Sequence, residues 1–409
     1  MNYHFSTIKK LAIVFLLLSS VNSFGQSSDG TTWQINTITT AVPFLQVTPD
    51  ARGGAMGDVG VATTPDYSSQ FSNPAKYVFS KKKFGLGVSY TPWLKKLVND
   101  ISLPSLMGYY KIDKANAVSG SLRYFSLGNI SFTDELGNSR GDYKPNEFAV
   151  DASWSRLLTK RMSMAVTARY IYSNLTLGQE VGGVSTKAGQ SVAADLSMYY
   201  TKPLKISGME AANLAFGFNI TNIGAKISYT ETTRKDFLPT NLRLGAGLNL
   251  DIDDHNTINI GVDLNKLLVP TPPIYQLDSV GSPAKDAAGN QIIESGMDPN
   301  VSIVTGIMQS FYDAPGGASE EFKEINWGGG VEYWYEKQFA VRLGYFFEDK
   351  TKGNRQFFTF GAGLRYSTFG LDVSYLVSNQ QNPLANTLRF TLSFDFDMLN
   401  GAESKPSMK

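Results

Sequence analysis

Residues 242–267 read LRLGAGLNLDIDDHNTINIGVDLNKL. Leu242, Leu244, Ala246, Leu248 and Leu250 stand at every second position, with Arg243, Gly245, Gly247, Asn249 and Asp251 between them. Past Asp253 and Asp254 the alternation resumes, and Ile258, Ile260, Val262 and Leu264 flank Asn259, Gly261 and Asp263. A period of two puts one set of side chains on each face of a strand. The acidic pair between the two runs marks a short turn, so the stretch predicts a hairpin with one apolar and one polar face. Each arm runs to about ten residues, longer than a usual soluble strand and matched to a tilted bilayer crossing.

The pattern recurs along the chain. Phe148, Val150, Ala152 and Trp154 alternate with Ala149, Asp151, Ser153 and Ser155, and Leu388, Phe390, Leu392, Phe394 and Phe396 with Arg389, Thr391, Ser393 and Asp395. Fourteen strands are expected, near 84–91, 101–112, 115–126, 147–157, 161–173, 190–201, 211–222, 240–251, 256–265, 325–336, 338–348, 356–366, 368–378 and 387–397. Their connections alternate in length. Short ones fall near Asp113-Lys114, Thr159-Lys160, Asp253-Asp254, Glu336-Lys337 and Thr368, and long ones over 127–146, 174–189, 222–240 and 266–324. An even count with short turns on one side and long loops on the other is the signature of an all-β, transmembrane antiparallel β-barrel with both termini in the periplasm. Tyr109, Tyr110, Trp154, Tyr170, Tyr172, Tyr199, Tyr200, Tyr333, Trp334 and Tyr335 gather near strand ends, where some should form girdles at the lipid interface. Arg123, Arg169, Arg243, Arg342, Arg365, Asp151, Asp195, Asp263 and Asp372 fall on the inward parity, and their mixed signs imply a lumen crossed by ion pairs.

Composition agrees. The 409 residues are 42% hydrophobic and 12% aromatic, with 38 glycines and a mean hydropathy of -0.16, too polar for a helical membrane protein. At the N-terminus Lys9 and Lys10 precede the apolar run Leu11–Leu18, and Ser23-Phe24-Gly25 supplies small residues before Gln26. This is the form of a cleavable export signal over 1–25, too short to span a membrane. Taking Lys9 and Lys10 from the 37 basic residues leaves 35 against 36 acidic ones, which argues against nucleic acid as a partner. The absence of Cys removes disulfides, thiolate metal sites and a lipid anchor on Cys.

Residues 26–83 lack the strand pattern and carry Gly53-Gly54, Gly57, Gly60, Pro65 and Asn73-Pro74. They are too few for a stable domain of their own. A plug folded into the barrel mouth is the economical reading, and a flexible periplasmic tail the alternative. The segment Gly54-Ala55-Met56-Gly57-Asp58, continuing through Ala62, Asp66 and Ser72-Asn73-Pro74-Ala75, resembles the N-terminal hatch of the FadL-like barrel superfamily, whose barrels have fourteen strands. The longer stretch TAVPFLQVTPDARGGAMGDVGVATTPD, Thr40 to Asp66, is similar to the PorV (LptO) family of the Bacteroidetes type IX secretion system, and the resemblance runs through the mature chain. It implies a non-enzymatic outer-membrane protein. Such a protein binds exported cargo with a C-terminal signal domain at the translocon barrel SprA (Sov). It shuttles that cargo to a surface attachment complex, the sortase PorU with PorQ and PorZ. The hatch residues carried by the resemblance are Gly54, Gly57, Asp58, Asn73, Pro74 and Ala75. The expected layout is signal peptide 1–25, hatch 26–83, barrel 84–398 and tail 399–409.

No catalytic, metal or cofactor constellation stands out. The mature chain has one histidine, His255, in a predicted turn, where a solvated side chain is the plain reading. Asp251, Asp253 and Asp254 lack the spacing of a calcium loop. Gly245, Gly247, Gly328–Gly330, Gly361 and Gly363 sit inside strands, not ahead of a helix, and suit close backbone approach better than phosphate. In the connection 266–324, Leu267–Tyr275 is apolar and proline-stiffened, and Asp298-Pro299 has the form of a helix N-cap and first position. Ile303, Val304, Ile307, Met308 and Phe311 would then share a helical face. Leu268, Ile274, Ile303, Ile307, Met308 and Phe311 are the candidate partner-binding loop residues, with a lid on the barrel's own rim as the other reading. The alternative function is a FadL-like channel for hydrophobic small molecules, which needs a continuous apolar path behind the hatch.

Overall fold

The structure is a computed structural model that describes residues 35–93, 100–133, 136–178, 180–181, 184–230, 235–378 and 387–396. The expected export signal over 1–25 lies outside these residues. Fourteen antiparallel strands close into one barrel. They are β1 (Phe84–Pro92), β2 (Ser102–Lys111), β3 (Asn116–Ser126), β4 (Asn146–Thr159), β5 (Met162–Asn174), β6 (Gly189–Leu204) and β7 (Ala211–Gly224). There follow β8 (Asn241–Asp251), β9 (Asn256–Leu267), β10 (Asn326–Tyr335), β11 (Phe339–Phe347), β12 (Gln356–Tyr366), β13 (Phe369–Ser378) and β14 (Leu388–Phe396). The seam is made by β1 and β14, in register from Phe84↔Phe396 to Tyr90↔Phe390. Strand positions, their number and the alternation of connection lengths follow the sequence expectation.

Side-chain parity explains the closure. On the outer face Val341, Leu343 and Leu244 are exposed, as lipid-facing residues are when the protein is described without its membrane. Trp327 stacks on Phe347 and Phe84 tilts against Phe396 across the seam. The inner face is largely Ser, Gly, Thr and charge; Ser105, Ser153, Ser155, Ser163, Ser197 and Ser374 are all buried. Small inward residues leave space for a backbone, not for a side-chain core. Tyr109 and Tyr199 are buried on the inner face while Tyr110 and Tyr200, one position on, face out. Only part of the expected aromatic set therefore forms girdles.

The space is filled by residues 35–83. Glycines of the wall let this backbone pass: a Cβ at Gly328, Gly330 or Gly344 would overlap the main chain of Met56 or Gly57. Gly57 itself has a positive φ of 71° and lies against the Tyr345 carbonyl, so only glycine fits there.

Candidate functional site: the filled lumen and the long-loop face

The segment ahead of β1 runs through the lumen from one end to the other. At the long-loop end the Asn36 N–H donates to the Thr351 carbonyl at 3.0 Å, and its amide donates to Pro272 O and Glu320. The Ala41 N–H reaches Phe237 O. At mid-depth Asp50 caps the short helix Ala51–Ala55 by accepting from the Gly53 N–H at 2.7 Å. Gly57 N–H donates to Thr359, and the N–H groups of Gly60 and Val61 both donate to one oxygen of Asp263, at 2.7 and 2.9 Å. Lower down, the Tyr67 hydroxyl donates to Asp372 at 2.6 Å and Gln70 donates to Asp151 at 2.6 Å. Asn73 caps the 3-10 turn Pro74–Phe79 and donates its amide to Val61 O and Met198 O. The carbonyls of Pro74 and Ala75 accept from Ser155 and Ser163. The chain then leaves at the short-turn end, where Lys111 donates to Ser80 O, and enters β1.

Two ion-pair chains cross the lumen. In one, Arg52 binds Asp66 at 2.8 Å and Glu332 at 2.7 Å; Arg342 binds Glu332 at 2.6 Å and Asp372 at 2.8 Å; Arg365 closes on Asp372 at 2.6 Å. In the other, Arg169 joins Asp195 at 2.8 Å and Asp151 at 3.3 Å. Buried charges persist only when paired and hydrogen-bonded, and these are. Below the segment a cavity of about 600 Å³ opens at the short-turn end, lined by Tyr67, Tyr109, Tyr199, Trp334, Lys82 and Asp395 among others, with Arg52, Thr63 and Asp66 over it. Its lining mixes aromatic and charged groups.

Six residues named from the sequence meet here. Gly54 lies under Arg389, whose guanidinium donates to Gly54 O at 3.3 Å and stands 3.6 Å from Asp58. Gly57, Asn73, Pro74 and Ala75 make the wall contacts given above. Arg52, Tyr67, Gln70 and Glu332 were not singled out. For Glu332 the signal was available, since it shares the inward parity of Gly328 and Trp334.

On the long-loop face two expectations are corrected. Leu268 is 2% exposed: its N–H bonds to Thr240 O beyond the end of β9, so it belongs to the interior and not to the exposed face of the loop. The helix is Ile303–Gln309 and its cap is Ser302, which accepts from the Thr305 N–H; Asp298 instead accepts from Asn300 N–H ahead of it. Ile303 and Ile307 are half-buried, while Val304, Met308, Phe311 and Tyr312 are exposed. Ile274 is half-buried in a small hairpin, Ile274–Tyr275 with Ile293–Ser295. The loop is anchored by charge. Lys266 binds Glu321 at 2.9 Å and Glu324 at 2.7 Å, and Lys352 binds Glu320 at 2.5 Å and Glu324 at 2.9 Å. Beside them burial pushes Asp313 up to about 6, with Glu321 and Glu324 adding to the rise and bonds from Thr271 opposing it. Lys352 holds Glu320 below its ordinary value against the effect of its partial burial.

Residues 30–274 match the family described as Type IX secretion system protein PorV. The chain belongs to the PorV family. The match takes in the lumen segment and β1–β9 and stops inside the long loop, short of the whole mature chain that the resemblance suggested. No curated protein matches the chain. Solved structures similar to it include the toluene transporter TbuX of Ralstonia pickettii, at 12% identity and a TM-score of 0.46 over 85% of this chain and 97% of that one. The toluene transporter TodX of Pseudomonas putida is 11% identical, with a TM-score of 0.46 over 88% and 99%. A FadL homologue of Pseudomonas aeruginosa is 13% identical, with a TM-score of 0.41 over 88% and 99%. A PorV-family barrel is an outer-membrane component of type IX secretion, a secretion barrel and not a class of enzyme. The short turns therefore face the periplasm and the long loops the exterior. His255, in the turn between β8 and β9, stands exposed 3.6 Å from Glu336.

Proposed function

We propose that this protein binds exported cargo through the cargo's C-terminal signal domain at the translocon barrel SprA (Sov) and shuttles it to the attachment complex of PorU, PorQ and PorZ. The reading rests on the family and on one observation: the lumen is tied shut by charge, while Val304, Met308, Phe311 and Tyr312 stand exposed outside the membrane. Apolar side chains grouped in this way are favoured only when covered. In this reading 1–25 is removed on export, 26–83 is the hatch, 84–398 the barrel and 399–409 a tail. Gly54, Gly57, Asp58, Asn73, Pro74 and Ala75 hold the hatch, and Ile303, Ile307, Met308 and Phe311 with Val304 make the docking loop. A channel for hydrophobic small molecules fits less well, because the cavity sits at one end of the lumen and is lined in part by Arg52, Lys82 and Asp395.

The test replaces Val304, Met308 and Phe311 together with Ser and follows the folded barrel by its heat-dependent shift on gels. Loss of translocon co-purification and of cargo secretion from an intact barrel is the expected result. Undisturbed binding and secretion would remove the loop from the docking surface.

A further inference from the structure

The periplasmic rim is divided by charge. On β4, Trp154 faces outward, and the next outward residue is Arg156, its guanidinium 5.8 Å from the indole centroid. On β6, Tyr200 faces outward and is followed in the same way by Lys202. Between these strands lies the start of β5, reached through the turn Lys160-Arg161. The three are in register: Arg156 pairs with Met164, Met162 pairs with Tyr200, and the Thr201 N–H donates to Arg161 O at 2.8 Å. Lys205 opens the next turn. Arg156, Lys160, Arg161, Lys202 and Lys205 are all exposed, and among the described residues none of them forms a salt bridge. Among the described residues no acidic side chain stands on the rim from Lys114 to Met209; Asp151 and Asp195 in that interval are buried in the lumen on Arg169. Asp113, at the edge of the arc, accepts from the N–H groups of Ala115 and Asn116 and also feels the charge of Arg156. The next stretch of rim is acidic and begins in the same turn as Lys205: Glu210, whose N–H donates to Asp251 O, is followed by Asp251, Asp253, Asp254 and Glu336 against Lys337 and His255.

We propose that the rim around β4, β5 and β6 is a binding site for the anionic headgroups of periplasmic-leaflet phospholipid. Depth supports lipid over a soluble acidic protein. Arg156 and Lys202 project from the wall directly below girdle aromatics, at the level of the lipid phosphates, and their stems lie along the apolar surface while the charge reaches the headgroups. A protein approaching from the periplasm would meet Lys160, Arg161 and Lys205 in the turns first, whereas Arg156 and Lys202 on the wall lie where lipid reaches them. Five exposed cations on three neighbouring strands and the turns between them favour a phosphodiester whose charge is not cancelled by an ammonium of its own. The adjoining acidic stretch repels the same headgroups, so anionic lipid is gathered along the β4–β6 arc and disfavoured beside it.

The test uses the full mature chain, purified in a neutral detergent and offered phosphatidylglycerol or phosphatidylcholine, with bound lipid read by native mass spectrometry. Preferential retention of phosphatidylglycerol is expected, falling about fivefold for each cation removed. The variant carrying Arg156→Gln, Lys160→Gln, Arg161→Gln, Lys202→Gln and Lys205→Gln loses the preference. A control carrying Lys187→Gln, Lys285→Gln and Lys350→Gln, all exposed at the long-loop end, keeps it. The heat-dependent gel shift checks that each variant is a folded barrel. Equal retention of the two lipids by the unaltered chain, or undiminished phosphatidylglycerol on the five-fold variant, overturns the proposal. An absent lipid preference together with a salt-sensitive protein partner lost from that variant overturns it too, and assigns the arc to an acidic protein.

Discussion

Glu332 shows how the lumen is closed at the level of single side chains. It is fully buried and held by Arg52 and Arg342 at once, one from the hatch and one from the neighbouring strand. Replacing it with Gln leaves Arg52 with Asp66 and Arg342 with Asp372, but strands excess positive charge in a buried site. Breaking a buried pair in this way costs roughly 3 kcal/mol. Glu332→Gln is therefore expected to lower the urea midpoint of the lipid-inserted barrel, and Glu332→Asp to recover part of the loss. An unchanged midpoint would mean that the hatch adds nothing to the barrel. Asp313 gives a prediction in pH. Its folded pKa of about 6 lies above the ordinary 3.8, so the folded loop binds the proton more tightly than the unfolded one. The penalty is full above pH 6 and fades as the pH falls toward 4. The loop should resist protease better at about pH 5.5 than at about pH 7.5, where Glu320 stays ionised throughout. Asp313→Asn should flatten that difference, since its carbonyl oxygen still accepts from Thr271; a difference that persisted would place the titrating group elsewhere.

At the level of strands and helices, the outward positions carry the membrane contact. Leu343 sits mid-way along β11, paired with Val331 and Phe360, and faces out. An arginine there should cost about 2–4 kcal/mol of stability in lipid. Leu343→Arg measured against Leu343→Ala in the same vesicles checks this, and equal stabilities would mean the residue is not at lipid depth. The strands were legible because parity is local: Leu242 to Asp251 announce their two faces without reference to any other part of the chain. What each inward residue touches is not local. Arg52 and Glu332 are 280 positions apart, and nothing near either names the other. Parity placed Asp263 and Asp372 inside, yet their partners, the N–H groups of Gly60 and Val61 and the Tyr67 hydroxyl, come from a segment without periodicity. The loop helix was misplaced at its start because Asp298-Pro299 and Ser302 both have the form of a cap, and only packing chooses between them.

On the scale of the whole molecule, the barrel wall and its filling are complementary. Serines and glycines inside the wall offer hydrogen bonds and clearance to a backbone, and the hatch backbone supplies the matching donors and acceptors. Replacing residues 51–73 with a short Gly-Ser linker would leave Glu332, Asp263, Asp372 and Asp151 to water. Steady conductance in planar bilayers is then expected, with little from the intact chain; a silent deletion would show that the wall collapses on itself. The path of the hatch also constrains biogenesis. Asn36 lies among the outer loops, while β1 begins at the periplasmic rim. The segment around Asn36 must therefore already lie on the outer side when Phe84 and Phe396 meet at the seam. Once that seam is shut, a bulky fold cannot follow through a lumen already occupied. A compact, fast-folding domain fused ahead of residue 35 would be stranded on the wrong side and arrest insertion, whereas a flexible peptide tag of the same charge would be carried through and displayed outside.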